Sequence, residues 1–422
     1  MDALLGEDFR QEPADAKGKP AAPSIVLVGT SFKTAGIEMR ERVANRLSNA
    51  LEPGIRTEDG GVFESSVLET CNRLEVYLAC GEPGKVARSV VARLGGRVSP
   101  QSFYVKTGTD AIEHIFRVAS GLDSPVLGEE QILQQVREAG KAARTSGQAK
   151  SILSSLFDAA YSSGKRIRES YDVSPAYRSL SAFALRRALK ELGRRPASVL
   201  LIGSGETAKL AALRLKGSTV YLLSGRRGAE SRFPNAMRVS RRKLRAVAGT
   251  CDLIIAATRH HGFVLGTRDL PKRRRMVILD LGFPRNVDPS VKNSKSIKLY
   301  DLDDVAGWAI SRRRRRNLSA ERSVEEETRR FGAWLRASRL TPTLANIYKW
   351  AEKIREEETL AALRRLQRLS PHDKAIVEAL SKRLTGKLLS PHANFVKEVG
   401  SGGSQSERLL LLESIFKDGS KE

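Results

Sequence analysis

Sulfur is scarce in this 422-residue chain: Cys71, Cys80 and Cys251 are the only cysteines, and they stand far apart. That spacing excludes a disulfide framework and a structural zinc site, both of which need more thiols or histidines close together. A reducing, cytoplasmic compartment is therefore expected. Aromatic residues make up only 6% and do not alternate with basic ones, which argues against a platform on which single-stranded bases stack. No apolar run approaches the roughly 20 residues needed to cross a bilayer, so no membrane partner is expected. Residues 1–23 mix Pro, Ala, Gly and charges of both signs, without the apolar stretch of a signal peptide, and read as a loose tail.

Acidic residues are also in deficit. Lys and Arg number 73 against 48 Asp and Glu, a formal net charge of +25 with an isoelectric point near 10.2. A polyanionic partner follows. The charge is clustered, with one block from Lys272 to Arg275 and another from Arg312 to Arg316, and 12 basic against 4 acidic residues between Gly140 and Arg195. Any single block also reads as ordinary solvated surface. With few aromatics to stack on bases, a structured phosphate backbone suits this charge better than a single strand.

Hydrophobic patterning divides the chain. Ser24 to Thr30 reads as a buried strand, Gly36 to Leu51 as a helix, and Ser65 to Glu69 and Leu74 to Leu78 as extended segments that meet at Thr70-Cys71-Asn72-Arg73. Thr109 reads as the N-cap of a helix through His114 and Phe116 that Gly121 helps to stop. Two more helices are predicted over Glu129 to Lys150 and Ile152 to Glu169. A new unit starts near Val173, with a helix from Ser179 to Leu192 and a parallel strand from Ser198. Further strands are predicted at Thr219 to Ser224, Asp252 to Ala257, Met276 to Leu281 and Ile297 to Tyr300. Strands spaced by helix-length segments predict a doubly wound sheet. From Leu302 to about Leu340 the pattern becomes one long charged helix, interrupted at Pro342. Ala345 to Leu369, Asp373 to Leu389 and Glu407 to Phe416 then form a helical unit, with Gly400 to Ser404 as a loop. Such helices suit a subunit contact better than chemistry. The expected divisions are 24–172, 173–301, 302–340 and 341–422.

Gly203-Ser204-Gly205-Glu206-Thr207-Ala208 follows a strand directly and opens a helix. The pattern is that of a dinucleotide turn: the first glycine permits the turn, the second lets a pyrophosphate approach the backbone, and the small residue at Ala208 lets helix and sheet pack closely. The phosphate then meets a helix N-terminus. At the end of the next strand, Ser224-Gly225-Arg226-Arg227 offers guanidinium groups where an NAD site often places a carboxylate. Arg226 there can pair with a 2′-phosphate, which favours NADPH; two solvent-facing arginines are the plainer alternative.

Cys71 stands beside a cation, Arg73, which is expected to lower its pKa and raise its thiolate fraction. Cys251 and Cys80 read as packed. A thiol combined with a dinucleotide fold suggests a covalent acyl or hemithioacetal intermediate that exchanges a hydride. Two other readings stay open: an aldehyde dehydrogenase-like enzyme for a small phosphorylated or coenzyme-linked substrate, which leaves the charge unused, and a non-catalytic RNA-binding regulator, which leaves the thiol and the glycine turn unused.

Several strings resemble the glutamyl-tRNA reductase family: Gly29 to Ala35, Met39 to Glu41, Glu-Thr-Cys-Asn-Arg-Leu-Glu-Val-Tyr at Glu69 to Tyr77, Ala119 to Ile132 with its Gly-Leu-Asp-Ser, Asp280 to Val291, and Leu299 to Val305. The resemblance implies a multidomain α/β protein, with an α/β catalytic domain, a Rossmann-like doubly wound NADPH domain, a long spinal helix and an all-helical dimerisation domain, assembled as a V-shaped homodimer. It implies that Cys71 takes glutamate from charged tRNA(Glu) as a thioester and releases the tRNA. A hydride from NADPH then gives glutamate-1-semialdehyde, the entry compound of tetrapyrrole synthesis, which the aminomutase acting next receives. The resemblance also assigns residues: Thr70, Asn72 and Arg73 around the thiol, with Arg73 as a carboxylate anchor; Ser124, Glu129, Glu130, Gln131 and Gln135 in the glutamate pocket; and His114 near the reaction centre, able to move a proton or polarise the acyl oxygen. The chain departs from the family at Ser31-Phe32, where Asn-His is common, and at Glu130, where most members have proline. It also has Ala208 for a common glycine and Ser224-Gly225 for a common asparagine. None of these removes the thiol or the turn.

Overall fold

Two β-sheets of opposite character organise the N-terminal and middle parts of the chain. The computed structural model describes residues 23–399 apart from 51–60, 96–98, 170, 172–178, 216, 226–227, 273, 312–316, 339–340 and 367. The expected tail, Arg226, the Arg312 to Arg316 block and the segments beyond Val399 therefore lie outside the described residues.

The first sheet contains β1 (Ser24–Ser31), followed by α1 (Ile37–Ala50), then β2 (Val62–Glu69) and β3 (Arg73–Cys80). After α2 (Pro83–Gly95) comes β4 (Tyr104–Thr107). The order is β2-β3-β1-β4, antiparallel throughout. Every residue of β3 is buried, including the charged Arg73 and Glu75, so this strand carries ionisable groups into the middle of the domain. Helices α3 (Gly108–Ala119), α4 (Glu130–Thr145) and α5 (Ser151–Glu169) complete the domain. α3 starts earlier than Thr109, with Thr107 at the N-cap, because β4 runs directly into it. Gly140 sits inside α4, where an added Cβ would lie 2.6 Å from the Cβ of Phe157 on α5; the glycine lets the two helices approach and does not end the first.

α6 (Leu180–Leu192) precedes β5 (Ser198–Ile202), which is followed by α7 (Glu206–Ala212), β6 (Thr219–Leu223), β7 (Ala236–Arg238), α8 (Leu244–Thr250), β8 (Leu253–Ala256), β9 (Met276–Asp280) and β10 (Ile297–Tyr300). The six strands are parallel, in the order β10-β9-β8-β5-β6-β7. This is a doubly wound sheet whose strand order reverses between β5 and β8, the place where such folds open a ligand crevice. Sequence patterning missed β7, a three-residue edge strand with two exposed positions and no apolar run to reveal it.

The segment read as one helix from Leu302 to Leu340 contains α9 (Leu302–Ser311) and a separate α10 (Leu318–Ser338). Asn317 is not helical, and its side chain accepts from the Ala320 N–H at 3.1 Å, so it caps a fresh helix start. α11 (Thr341–Arg365) and α12 (Pro371–Val399) follow. By compactness the chain divides into two units, with the division between Glu327 and Thr328, inside α10. In the second unit α11 packs on α12 and leaves Leu360, Leu380, Leu384 and Leu388 exposed.

Candidate active site

Cys71 lies in the bend between β2 and β3, and Thr70 shapes that bend. The Thr70 hydroxyl accepts from the N–H groups of Asn72 (3.2 Å) and Arg73 (3.1 Å), and the Thr70 N–H donates to the Arg73 carbonyl (2.9 Å). A buried arginine on α1 fixes it from the other side: Arg40 donates to the Cys71 carbonyl (2.5 Å) and, through its other terminal nitrogen, to Asp303 on α9. Asp303 also accepts from the Ile37 N–H at 2.6 Å. On the same helix Glu41 holds Arg285 in a two-pronged pair, with bonds of 3.1 and 2.8 Å. The loop after β9 is thus tied to the catalytic domain. Asn72 is buried, and its side-chain oxygen has no hydrogen-bond partner among the described residues.

Arg73 makes its hydrogen bonds away from the thiol. Its guanidinium is wholly buried and donates to Glu75 (2.9 Å), to the Asp123 carboxylate (2.9 Å) and to the Asp123 carbonyl (2.6 Å). Glu75 is the centre of this network, for it also accepts from Tyr77 (2.7 Å) and Tyr104 (2.5 Å) and bonds His114 at 2.7 Å. Burial would raise the Glu75 carboxyl, but His114 and Arg73 together hold it well below the usual carboxylate range. In the same way Arg73, His114 and Lys33 overcome burial and hold Asp123 down at about 2. Neither Glu75 nor Asp123 was singled out in the sequence. The available signal was a charged pair, Arg73 and Glu75, spaced two apart on one face of an otherwise apolar strand.

The expected activation of the thiol is also corrected. Burial pushes Cys71 up to about 12, and the nearby charge of Glu129 pushes the same way; Arg40 and Arg73 pull it down without prevailing. Glu129 is itself buried, and desolvation raises it to about 7 against the pull of Arg168 and Arg73. The thiol therefore needs a proton acceptor.

One large cavity, about 1810 Å³, joins the two sheets. Thr70, Cys71, Gln131 and Gln135 line it on one side, and Gly203, Ser204, Gly205, Glu206, Thr207 and Ser224 on the other. Its size exceeds the roughly 300–1,000 Å³ of a single small-ligand pocket. Gly203 has φ +112, and a Cβ there would stand 2.4 Å from the Ala257 carbonyl oxygen, whereas nothing lies within 4 Å of a Cβ on Gly205. The first glycine is needed for the chain's own path, and the second leaves open space at the crevice. Ala208 is fully buried, which is the close helix–sheet packing its size predicted. Ser224 donates to the Ser204 hydroxyl at 2.9 Å and so braces the turn.

Not every predicted residue joins this cavity. Glu130 is exposed at the start of α4 and does not line it. Ser124 and Glu129 are buried and do not line it. His114 lines a second, smaller cavity with Lys33, Tyr104, Lys106, Arg117 and Asp123.

Residues 28–171 match the family model described as glutamyl-tRNA(Glu) reductase, N-terminal domain, and residues 319–418 match the dimerisation domain of the same reductase. Residues 186–307 match the shikimate/quinate 5-dehydrogenase model. The glutamyl-tRNA reductase of Syntrophotalea carbinolica is 32% identical, covering 93% of this chain and 94% of its own length. The chain belongs to the glutamyl-tRNA reductase family. Another member, from Nitratidesulfovibrio vulgaris strain Hildenborough, is 35% identical over 88% of this chain and 90% of its own. The solved glutamyl-tRNA reductase of Methanopyrus kandleri aligns at a TM-score of 0.45 with 28% identity, over 92% of this chain and 96% of that one. As a family member the chain is an α/β multidomain oxidoreductase with a Rossmann-like middle domain. Among the described residues no helix is long and apolar enough to cross a membrane.

Proposed function

We propose that this chain reduces glutamyl-tRNA to glutamate-1-semialdehyde with NADPH, through a thioester on Cys71. One observation carries the reading: the Cys71 thiol and the Gly203–Thr207 turn open into a single cavity. The Cys71 sulfur attacks the acyl carbon of the ester that joins glutamate to the terminal adenosine. The ester C–O bond breaks, the tRNA oxygen takes the proton that the thiol loses, and the glutamyl group stays on sulfur. With the thiol held near 12, its proton must leave as the S–C bond forms. Thr70 and Arg40 hold the Cys71 backbone, and the side-chain amides of Gln131 and Gln135, which line the cavity, are suited to orient the glutamyl group.

Gly203 to Thr207, Ser224 and, from the sequence alone, Arg226 would hold NADPH, whose nicotinamide supplies the hydride when bound. Cleavage of the C–S bond then frees the aldehyde and leaves a thiolate, which takes a proton from water to restore the thiol. His114, locked to Glu75, and Arg73, locked to Asp123, support the site through the network behind Cys71. A homodimer formed through the second unit, transfer of the reactive aldehyde to the next aminomutase, and a cytoplasmic location complete the reading; the exposed leucines on α11 and α12 support the dimer.

Purified protein supplied with glutamyl-tRNA and NADPH is expected to form the semialdehyde, and Cys71→Ser to form none while still folding and binding tRNA. Equal product from both proteins would remove Cys71 from its role. No product from a folded, cofactor-binding wild type would reject the activity.

A further inference from the structure

Between Glu230 and Asp252 the chain carries six basic residues and no acidic one over twenty-one positions, although it holds 48 acidic residues in all. This stretch forms the outer edge of the parallel sheet: the edge strand β7 passes through Ser240 into a single 3-10 turn, Arg241–Lys243, and on into α8. Val239, Leu244 and Ala248 anchor it in the core, while Arg238, Arg241, Arg242, Lys243 and Arg245 are exposed. Many other cations of this protein are neutralised, as in Arg144–Asp158, Arg166–Glu327, Arg194–Asp252 and Arg232–Glu206. Among the described residues no carboxylate pairs with Arg242, Lys243 or Arg245. Arg241 donates to the Val264 carbonyl, which fixes it without cancelling its charge. Arg238 and Arg241 line the cavity that contains Cys71, and Arg242, Lys243 and Arg245 lie outside it. The positive surface therefore begins at the mouth of the reaction cavity and continues outward.

Adjacent like charges repel one another, and a fold that leaves them uncompensated is suited to an anionic partner. Arg242 and Arg245 stand three apart and so share one face of this helical stretch, with Lys243 beside them; three uncompensated cations that continue outward from the cavity match phosphates spread along a duplex backbone. We infer that Arg242, Lys243 and Arg245 are a phosphate-backbone contact for the acceptor arm of the tRNA whose 3′ end reaches Cys71. The inference rests on the proposed substrate being an aminoacyl-tRNA.

The test is equilibrium binding of tRNA, charged and uncharged, to the full-length protein and to Arg242→Ala/Lys243→Ala/Arg245→Ala at roughly 50 and 200 mM salt, together with KM for NADPH. Each phosphate contact contributes a slope of about 0.7–0.9 in log affinity against log salt. The wild type should therefore lose about 20- to 40-fold more affinity than the triple variant across that range. KM for NADPH should not change, and Arg242→Lys/Arg245→Lys should keep most of the binding. Arg88→Ala/Arg93→Ala, which removes exposed charge from α2, should leave the slope nearly intact. Equal affinity and slope in triple variant and wild type would overturn the inference. So would a matching loss in the α2 variant, which would mean net charge alone, a parallel change in KM for NADPH, or lost binding of an acidic protein with tRNA binding intact. If tRNA binds as expected and no aldehyde forms, the reaction fails and the surface stands.

Discussion

Glu129→Gln isolates the charge that opposes ionisation of the nucleophile. In the wild type Cys71 is pushed up to about 12 by burial and then by Glu129, and Glu129 itself is raised to about 7. Below pH 6 the Glu129 side chain is neutral, so an isosteric glutamine changes little. Above pH 7 the wild type carries the negative charge and the variant does not, and the thiol pKa of the variant falls. At any pH well below 12, each tenfold gain in thiolate is offset about threefold by the weaker nucleophilicity of a less basic sulfur. A charge effect of one to two pKa steps, the scale for partly buried neighbours at an effective dielectric of about 20, then gives about three- to tenfold faster alkylation. The assay is iodoacetamide labelling of Cys71 across pH 5.5 to about 9, with Cys71→Ser as the background for the fully buried Cys80 and Cys251. Rates should coincide at the acid end and separate at the alkaline end. A ratio of variant to wild type that stays constant across that range would refute the electrostatic argument.

The same carboxyl has a stability signature. Its folded pKa lies above the ordinary 4.5, so its favourable contribution is complete below that value and is lost as pH rises through 7, by about 3 kcal/mol. Urea unfolding of Glu129→Gln should show a gain over wild type at pH 8.5 that shrinks toward zero at pH 5; a gain independent of pH would contradict this. Gly203→Ala should lower expression and stability, because the Cβ meets the Ala257 carbonyl at 2.4 Å, while Gly205→Ala should fold normally and raise KM for NADPH at least several-fold. Equal folding defects in the two variants would count against separate roles. Glu75→Gln leaves Arg73 and His114 without the carboxylate that joins them and should cost about 3–5 kcal/mol of stability, read as a fall in the urea midpoint; a change below about 1 kcal/mol would remove Glu75 from the centre of the network.

Much of the middle domain was legible because its signals are local. Val199 to Ile202 is a buried apolar run, the turn from Gly203 to Ala208 follows without a gap, and each strand–helix repeat lies within one stretch of chain, so the parallel sheet and its crevice follow from patterning and right-handed crossover rules. The family strings around Cys71 and Gly121 to Ser124 were equally local. Helix ends such as Thr107 and the non-helical Asn317 were less legible, since capping competes with helical continuation over only a few residues. What the sequence determined by itself was the nucleophile candidate, the dinucleotide turn, the doubly wound sheet and the strong positive charge. Tertiary structure alone decided the partners of Arg73 and Glu75, since Asp123 lies 50 residues from Arg73 and His114 39 residues from Glu75, and it decided the sign of the thiol's pKa change. Adjacency to a cation along the chain does not set a pKa. Burial and the net field of charges from several elements do, and those exist only once β3, α1 and the loop before α4 have packed together.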